Sequence, residues 1–453
     1  MNPSSGAVRT MSVASRPDTA RRPAFPVVVA VALLMMISAF ITINPAVDPE
    51  TSGLTAGRFY ELGLIVVGIA LVLQYALIHD TPITLTDPAF ISVCIFGAWA
   101  LLTTLWSDGP TLTLGKGMEL LLLGIGTGMI ASVTGHLKSS WSMPDILTVA
   151  FLAALVIFLF ANIAIWHTPL YRETSVEANV HRTRLVFAYA HPLTVSDFLA
   201  LAMITLVASR FRLAFKGVVF ATLAFLLVLT GSRGAPAGLV IALAIMAIVK
   251  PKSRRAHVAG AWSTVIAVIA YLLYAELFRG GDVLFPLRPE LTVNTTSLNG
   301  RTSLWSYALQ LFRERPLVGY GFNASRFRLL EPFPWAGQTH NAYIEIILTT
   351  GIIGGVLALL FIVALLRAIF RTKDVYLIGL TIYVALEGIL DPILLTTGLP
   401  MLLLLLAVTY ANLTHQHTPR ATPHGNRTPI APGRRFVDAV GTPPGAAKPR
   451  TAQ

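Results

Sequence analysis

Apolar runs about as long as a bilayer is thick, separated by short polar stretches, recur from Phe25 nearly to residue 413. A helix of ~20 apolar residues crosses the hydrocarbon core, and backbone in lipid must satisfy its hydrogen bonds within its own segment. The pattern predicts an all-α, polytopic membrane protein. Composition points the same way: 55% of the residues are hydrophobic and 12% charged, whereas a soluble domain carries roughly twice that charge. By run length we expect about twelve spans, near 25–43, 62–79, 88–106, 117–134, 146–166, 193–208, 213–230, 235–250, 258–277, 341–371, 375–392 and 397–413. The first run is too long for a signal-peptide core and ends at Asn44-Pro45 without a small-x-small cleavage site, so it reads as a span. The tenth is long, and Gly351 inside it predicts a bend or a break.

Orientation follows from where Lys and Arg collect, since cytoplasmic loops are enriched in both. With the N-terminus inside, Arg210-Phe211-Arg212 and the stretch from Lys250 to Arg255 fall on inner loops, while residues 391–396 carry no basic side chain. The expected organisation of a bacterial inner-membrane protein with both termini cytoplasmic follows. Residues 1–24 form an N-terminal tail, 25–277 spans one to nine, 278–339 a large periplasmic loop, 340–413 spans ten to twelve, and 414–453 a disordered cytoplasmic tail. The formal charge of +12 then reflects inner loops and tails rather than a nucleic-acid surface. Cys94 is the sole cysteine, which rules out an intrachain disulfide and a cysteine-built metal site.

Some basic residues break the bias and fall on the outer face. They include Arg172, Arg182 and Arg184 in the loop at 167–192, Arg233, a set from Arg279 to Arg328 in the large loop, Arg58 and Lys116. Arginine gathered on that face implies an anion to hold there. The large loop also carries a helix of its own. Leu304, Trp305, Ala308, Leu311 and Phe312 recur at helical spacing, with Asn299 placed to cap the start and Pro316 to end it. Its apolar face would rest on the bilayer surface or over the bundle.

Three spans begin on that outer face with distinctive residues. His191-Pro192 opens the sixth, Gly231-Ser232-Arg233-Gly234 the eighth and His340-Asn341 the tenth. Helix N-termini present unpaired N–H groups and partial positive charge, which favour anions. Arginine adds a forked donor matched to phosphate oxygens. Together they describe a phosphate or diphosphate pocket at the lipid–water boundary. Each residue also has a plainer reading. His340 is equally a helix cap or a hydrogen-bonded interfacial residue, Arg233 a side chain snorkelling to lipid phosphate, and Arg301, Arg182 and Arg184 solvated surface charges. Glu345 and Asp391 are placed to pair with basic neighbours, Glu119, Asp197 and Glu387 are acids within or near spans, and Trp99, Trp106, Trp166 and Trp335 fit an interfacial belt.

The motifs in order decide between these readings. His340-Asn341, then Gly351 and Gly354, is a spacing that resembles the bacterial O-antigen ligase and polymerase superfamily of polytopic glycan transferases. Asn299-Gly300-Arg301-Thr302-Ser303-Leu304-Trp305 and Pro316-Leu317-Val318-Gly319-Tyr320-Gly321-Phe322 are similar to that family's large outer loop, and Gly231-Ser232-Arg233-Gly234 to its Ser-Arg element. The likeness covers roughly residues 180–400. It implies a glycan donor carried on undecaprenyl diphosphate and used on the periplasmic face. It also implies an acceptor that is either lipid A core or a second lipid-linked glycan, in a setting of membrane lipids with no nucleic-acid partner and no cofactor. Carried across position by position, Arg233 and Arg301 would hold the diphosphate and His340 would act as base, with Arg184, His191, Ser232 and Asn341 in support. No Asp-x-Asp metal motif and no glycosidase-like carboxylate pair is evident, so the expected transfer is metal-independent. A ligase, a polymerase of O-antigen or exopolysaccharide, and more distantly a protein O-glycosyltransferase share these motifs. The rival from another class is a transporter or flippase, which predicts internal repeats that this chain lacks.

Overall fold

In the computed structural model the residues described are 24–39, 56–136, 141–165, 170–177, 180–187, 192–232, 234–249 and 301–417. The helices in order are α1 (Ala24–Ala39), α2 (Ala56–Ile78), α3 (Pro88–Leu102), α4 (Pro110–His136), α5 (Met143–Phe160), α6 (Pro192–Ala208), α7 (Leu213–Leu229) and α8 (Gly234–Val249), followed by α9 (Arg301–Glu314), α10 (Arg326–Leu329), α11 (Ala342–Thr372), α12 (Val375–Glu387) and α13 (Leu399–His417). Among the described residues six helical stretches are long and apolar enough to cross a membrane: 59–78, 88–106, 110–136, 143–164, 342–372 and 399–416. Shorter apolar helices occupy the expected first, sixth, seventh, eighth and eleventh spans. The expected ninth, at 258–277, lies outside the described residues, as do 1–23 and 418–453, while residues 414–417 of the expected tail continue the last helix. The chain is a mostly helical, multi-pass membrane protein.

The core is organised around the last helix. From Met401 to Val408 every residue of α13 is buried, as expected for a helix that is apolar on all sides. Other helices pack in succession: α11 on α3, α3 on α4, α4 on α2, α2 on α1, α1 on α5, α5 on α6, α6 on α8 and α8 on α12. At the end of the bundle away from His340, Arg371 donates to Asn412, whose amide donates to the Asp87 carboxylate at 2.6 Å. Asp87 in turn caps α3 through the backbone N–H groups of Ala89 and Phe90.

The expected break in the tenth span is present. Gly351 has φ 68° and ψ −171° inside α11, a conformation that is essentially glycine's alone. The break orphans backbone groups that a buried helix cannot leave unpaired, and a distant segment satisfies them. Tyr320 N–H donates to Leu348 O at 3.2 Å and Gly321 N–H to Thr349 O at 2.9 Å, while Ile352 N–H donates to Pro316 O at 2.8 Å and Ile353 N–H to Leu317 O at 3.3 Å. The Trp99 indole donates to Thr350 O at 3.0 Å and the Trp106 indole to Val318 O at 3.2 Å. The Pro316–Phe322 motif is thus a clasp threaded across a split helix. A Cβ at Gly351 would stand 2.1 Å from Leu317 O. Gly351→Val should therefore destabilise the protein by roughly 3 kcal/mol or more, read as a lowered thermal midpoint and loss of the monodisperse peak in detergent.

α9 packs its apolar face against α11 and the segments around it. Leu304, Ala308 and Leu311 are buried with Tyr320, Leu329, Ala336 and Leu348 in one cluster. The strictly all-α expectation needs one correction. β1 (Tyr171–Glu177) and β2 (Val180–Leu185) pair antiparallel, with a register irregularity between Glu173 and Ser175. A loop between spans outside lipid is free to satisfy its backbone as a hairpin, and β2 packs against α6 and α7.

Candidate active site at the end of α12

The sequence-predicted residues converge on an element to which sequence reading assigned no organising role: the C-terminal end of α12 and the turn after it, residues 383–391. Its backbone meets the start of α11, where Ala342 N–H donates to Gly388 O at 2.7 Å and the Asn341 amide donates to Ile389 O at 3.2 Å. Its side chains meet the starts of α6 and α8. Tyr383 donates to Asp197 in the second turn of α6 at 2.5 Å, and a Cβ on Gly234 would stand 2.5 Å from Glu387 Oε1. The N-terminal ends of α6, α8 and α11 are therefore gathered at one end of the bundle.

His340 sits on the turn that leads into α11. Asn341 caps that helix, its Oδ1 accepting from the N–H groups of Tyr343 at 3.0 Å and Ile344 at 3.1 Å. Immediately before the cap, His340 takes φ 51°, a left-handed conformation in which histidine is enriched over most residues. The turn is held from several sides. Thr339 N–H donates to Glu345 Oε2 at 2.9 Å, Ser325 donates to Glu345 Oε1 at 2.5 Å, and the Trp305 indole on α9 donates to Thr339 O at 2.9 Å. Glu345 thus accepts from hydroxyl and backbone donors, with the basic neighbour expected for it, His340, acting on its charge. Trp335 stacks on the imidazole, with centroids 6.0 Å apart and planes at 16°, so it does more than mark a membrane interface.

The imidazole faces a carboxylate. His340 Nδ1 lies 3.4 Å from Asp391 Oδ1, with both side chains largely buried. That is long for a hydrogen bond, and Nδ1 has no hydrogen-bond partner among the described residues. Gln338 donates to the same Asp391 oxygen at 3.3 Å. Arg301, the first residue of α9 and one turn before Trp305, lies in the field of Asp391 and Glu387. Burial pulls the guanidinium below its ordinary pKa, and the two carboxylates act against that pull. Ser232 stands at the mouth of α8 with its hydroxyl buried and unpartnered among the described residues. Arg184 at the end of β2 runs alongside Gly231, its side chain 3.8 Å from where a Cβ there would be. Arg233 and His191 lie outside the described residues.

The structure thus places His340 and Asn341 at the start of α11, Arg301 in the field of Asp391 and Glu387, and Ser232 with Arg184 at the start of α8. It adds Glu387, Asp197, Tyr383, Trp305 and Trp335; Asp391 meets the basic neighbour expected for it, His340, whereas Glu387 and Asp197 were visible in the sequence only as acids within or near spans. Chemically, an imidazole facing a carboxylate near a buried guanidinium can take a proton from a hydroxyl while cations hold a departing anion.

Against known proteins, residues 218–359 match the family model described as O-antigen ligase. The matched stretch runs from α7 through the Ser232 turn, Arg301, the clasp and the His340 turn into α11. No curated protein matches the chain.

Proposed function

We propose that this chain, whose residues 218–359 match the O-antigen ligase family model, is a membrane glycan transferase acting on a glycan carried by undecaprenyl diphosphate at the periplasmic face of the bacterial inner membrane. The acceptor is a hydroxyl of lipid A core. In the transfer, that hydroxyl attacks the anomeric carbon of the donor sugar. The bond from that carbon to the diphosphate oxygen breaks and the electron pair leaves with undecaprenyl diphosphate. His340 takes the acceptor proton through Nε2, since its Nδ1 side faces Asp391. Arg301 and Arg233 carry the charge that develops on the diphosphate, with Arg184 and Ser232 at the same helix mouth, and no metal is required for the step.

The observation that supports this reading is the His340–Asp391 pair beside the end of α12 with Arg301 in the field of the same carboxylate, His340 and Arg301 both lying in the matched family stretch. The experiment is a deletion strain examined for its lipid-linked and core-linked glycans. Full-length polymer on the lipid carrier with bare core supports the ligase. Single repeats on core would instead make the chain a polymerase that uses a second lipid-linked glycan as acceptor. Purified protein that relocates the lipid carrier without changing any glycan linkage would make it a flippase. At Arg233 we expect Arg233→Lys to lower transfer by ~10²-fold, because a point charge replaces a bidentate fork. Wild-type turnover in that variant would leave Arg233 touching lipid only.

A further inference from the structure

A cavity of about 190 Å³ opens beside the His340 turn, between Lys116 on α4, Phe322 and Asn323 after the clasp, Gln338, and the Thr396-Thr397 segment before α13. Its lining neighbours the proposed catalytic pair, although neither His340 nor Asp391 is among the lining residues. Gln338, which lines it, donates to the Asp391 oxygen that His340 faces, and Ala342, two residues past His340, lines it as well. Two of its walls have left-handed backbone, Asn323 with φ 61° and Leu395 with φ 51°, as do His340, Asp80 and Lys373 elsewhere among the described residues. Asn323 and Leu395 are lining residues, and for a bulky residue such as leucine a left-handed conformation is a true outlier. Strained residues of this kind persist where surrounding structure holds them, and they cluster at ligand sites.

The lining chemistry narrows the ligand. The Lys116 ammonium is paired with Glu119 at 2.6 Å and donates to Thr397 at 3.3 Å, so its charge is already matched and the cavity is not built for an anion. Glu345 also lines the cavity, but its two carboxylate oxygens accept from Ser325 and from Thr339 N–H; what remains is a set of amides and hydroxyls facing apolar groups such as Phe322. That combination suits a neutral polyol, whose C–H faces lie on apolar side chains while its hydroxyls exchange hydrogen bonds. The volume is below the ~300–1,000 Å³ of sites for drug-sized ligands, which limits the occupant to about one ring.

We propose that this cavity is an acceptor subsite that takes one uncharged sugar ring and holds its free hydroxyl toward His340. The inference rests on the reading of His340 as base, and it assigns Lys116, Asn323 and Thr397 to acceptor binding. Two measurements on full-length protein in detergent test it. Thr397→Phe, which fills the cavity, and Asn323→Gly, which keeps the left-handed backbone but removes the amide, should each raise the acceptor KM at least ~10-fold. Donor KM and binding of undecaprenyl diphosphate should stay unchanged. A fall in kcat at constant acceptor KM, or a rise in donor KM, would overturn the assignment. In the second, Thr396→Cys in a Cys94→Ser background should react with a small methanethiosulfonate reagent. Lipid A core should protect that thiol and undecaprenyl diphosphate should not, with the same result when His340→Ala is added. An unreactive thiol, or one that the acceptor leaves unprotected, rejects the subsite. Residual transfer by His340→Ala would instead reject the base and leave the subsite standing.

Discussion

His340→Ala should abolish glycan transfer, by ~10²- to 10⁴-fold, while leaving expression, detergent behaviour and binding of undecaprenyl diphosphate intact. General-base catalysis by a positioned side chain is worth about that much, and the turn holding residue 340 is tied down by contacts the mutation does not touch: the Asn341 cap, Thr339 to Glu345, and Trp305 to Thr339 O. The left-handed backbone at 340 adds a small strain with alanine, so His340→Asn is the control. Asparagine tolerates that conformation but supplies no base, and it should be as inactive as alanine. Asp391→Asn should lower kcat less than loss of the imidazole does, because its oxygen, 3.4 Å from Nδ1, acts on the ring through its charge and takes no proton itself. Normal glycan output from His340→Ala would remove the base assignment.

The second large effect is expected at Arg301. Arg301→Ala should cost ~10²- to 10³-fold in turnover, the scale of losing one fixed donor to a developing negative charge. Arg301→Lys gives a sharper result. Burial already pulls the guanidinium below its ordinary pKa, and the Asp391 and Glu387 carboxylates offset only part of that. The arginine stays charged regardless. A lysine in the same place would have its pKa pulled down by the same burial, so it loses its proton as pH rises. The Lys variant should therefore retain some transfer at low pH and lose it toward alkaline pH, where wild type keeps its activity. The profile of kcat/KM from pH 6 to 10 checks this, and parallel profiles for the two proteins would mean that Arg301 does not meet the reacting diphosphate.

The sequence by itself determined where helices form, because ~20-residue apolar runs have few other fates in lipid. It also determined that α11 breaks at Gly351 and which helix mouths carry His340, Ser232 and Asn341. Those features are local: a hydropathy run, a glycine, a capping residue. The tertiary structure decided which helix is central, since core and lipid are equally apolar and hydropathy carries no facing information. α13 and the lipid-exposed stretches of α11 read alike as sequence, yet one is buried on all sides and the other is not. The clasp of Pro316–Phe322 across the break is made by backbone groups, which leave no side-chain signature. The role of the α12 end was likewise hidden, because Glu387 and Asp391 acquire meaning only when three helix starts separated by up to 150 residues of sequence fold against them. Only that long-range closure makes one site of an imidazole, a guanidinium and a carboxylate.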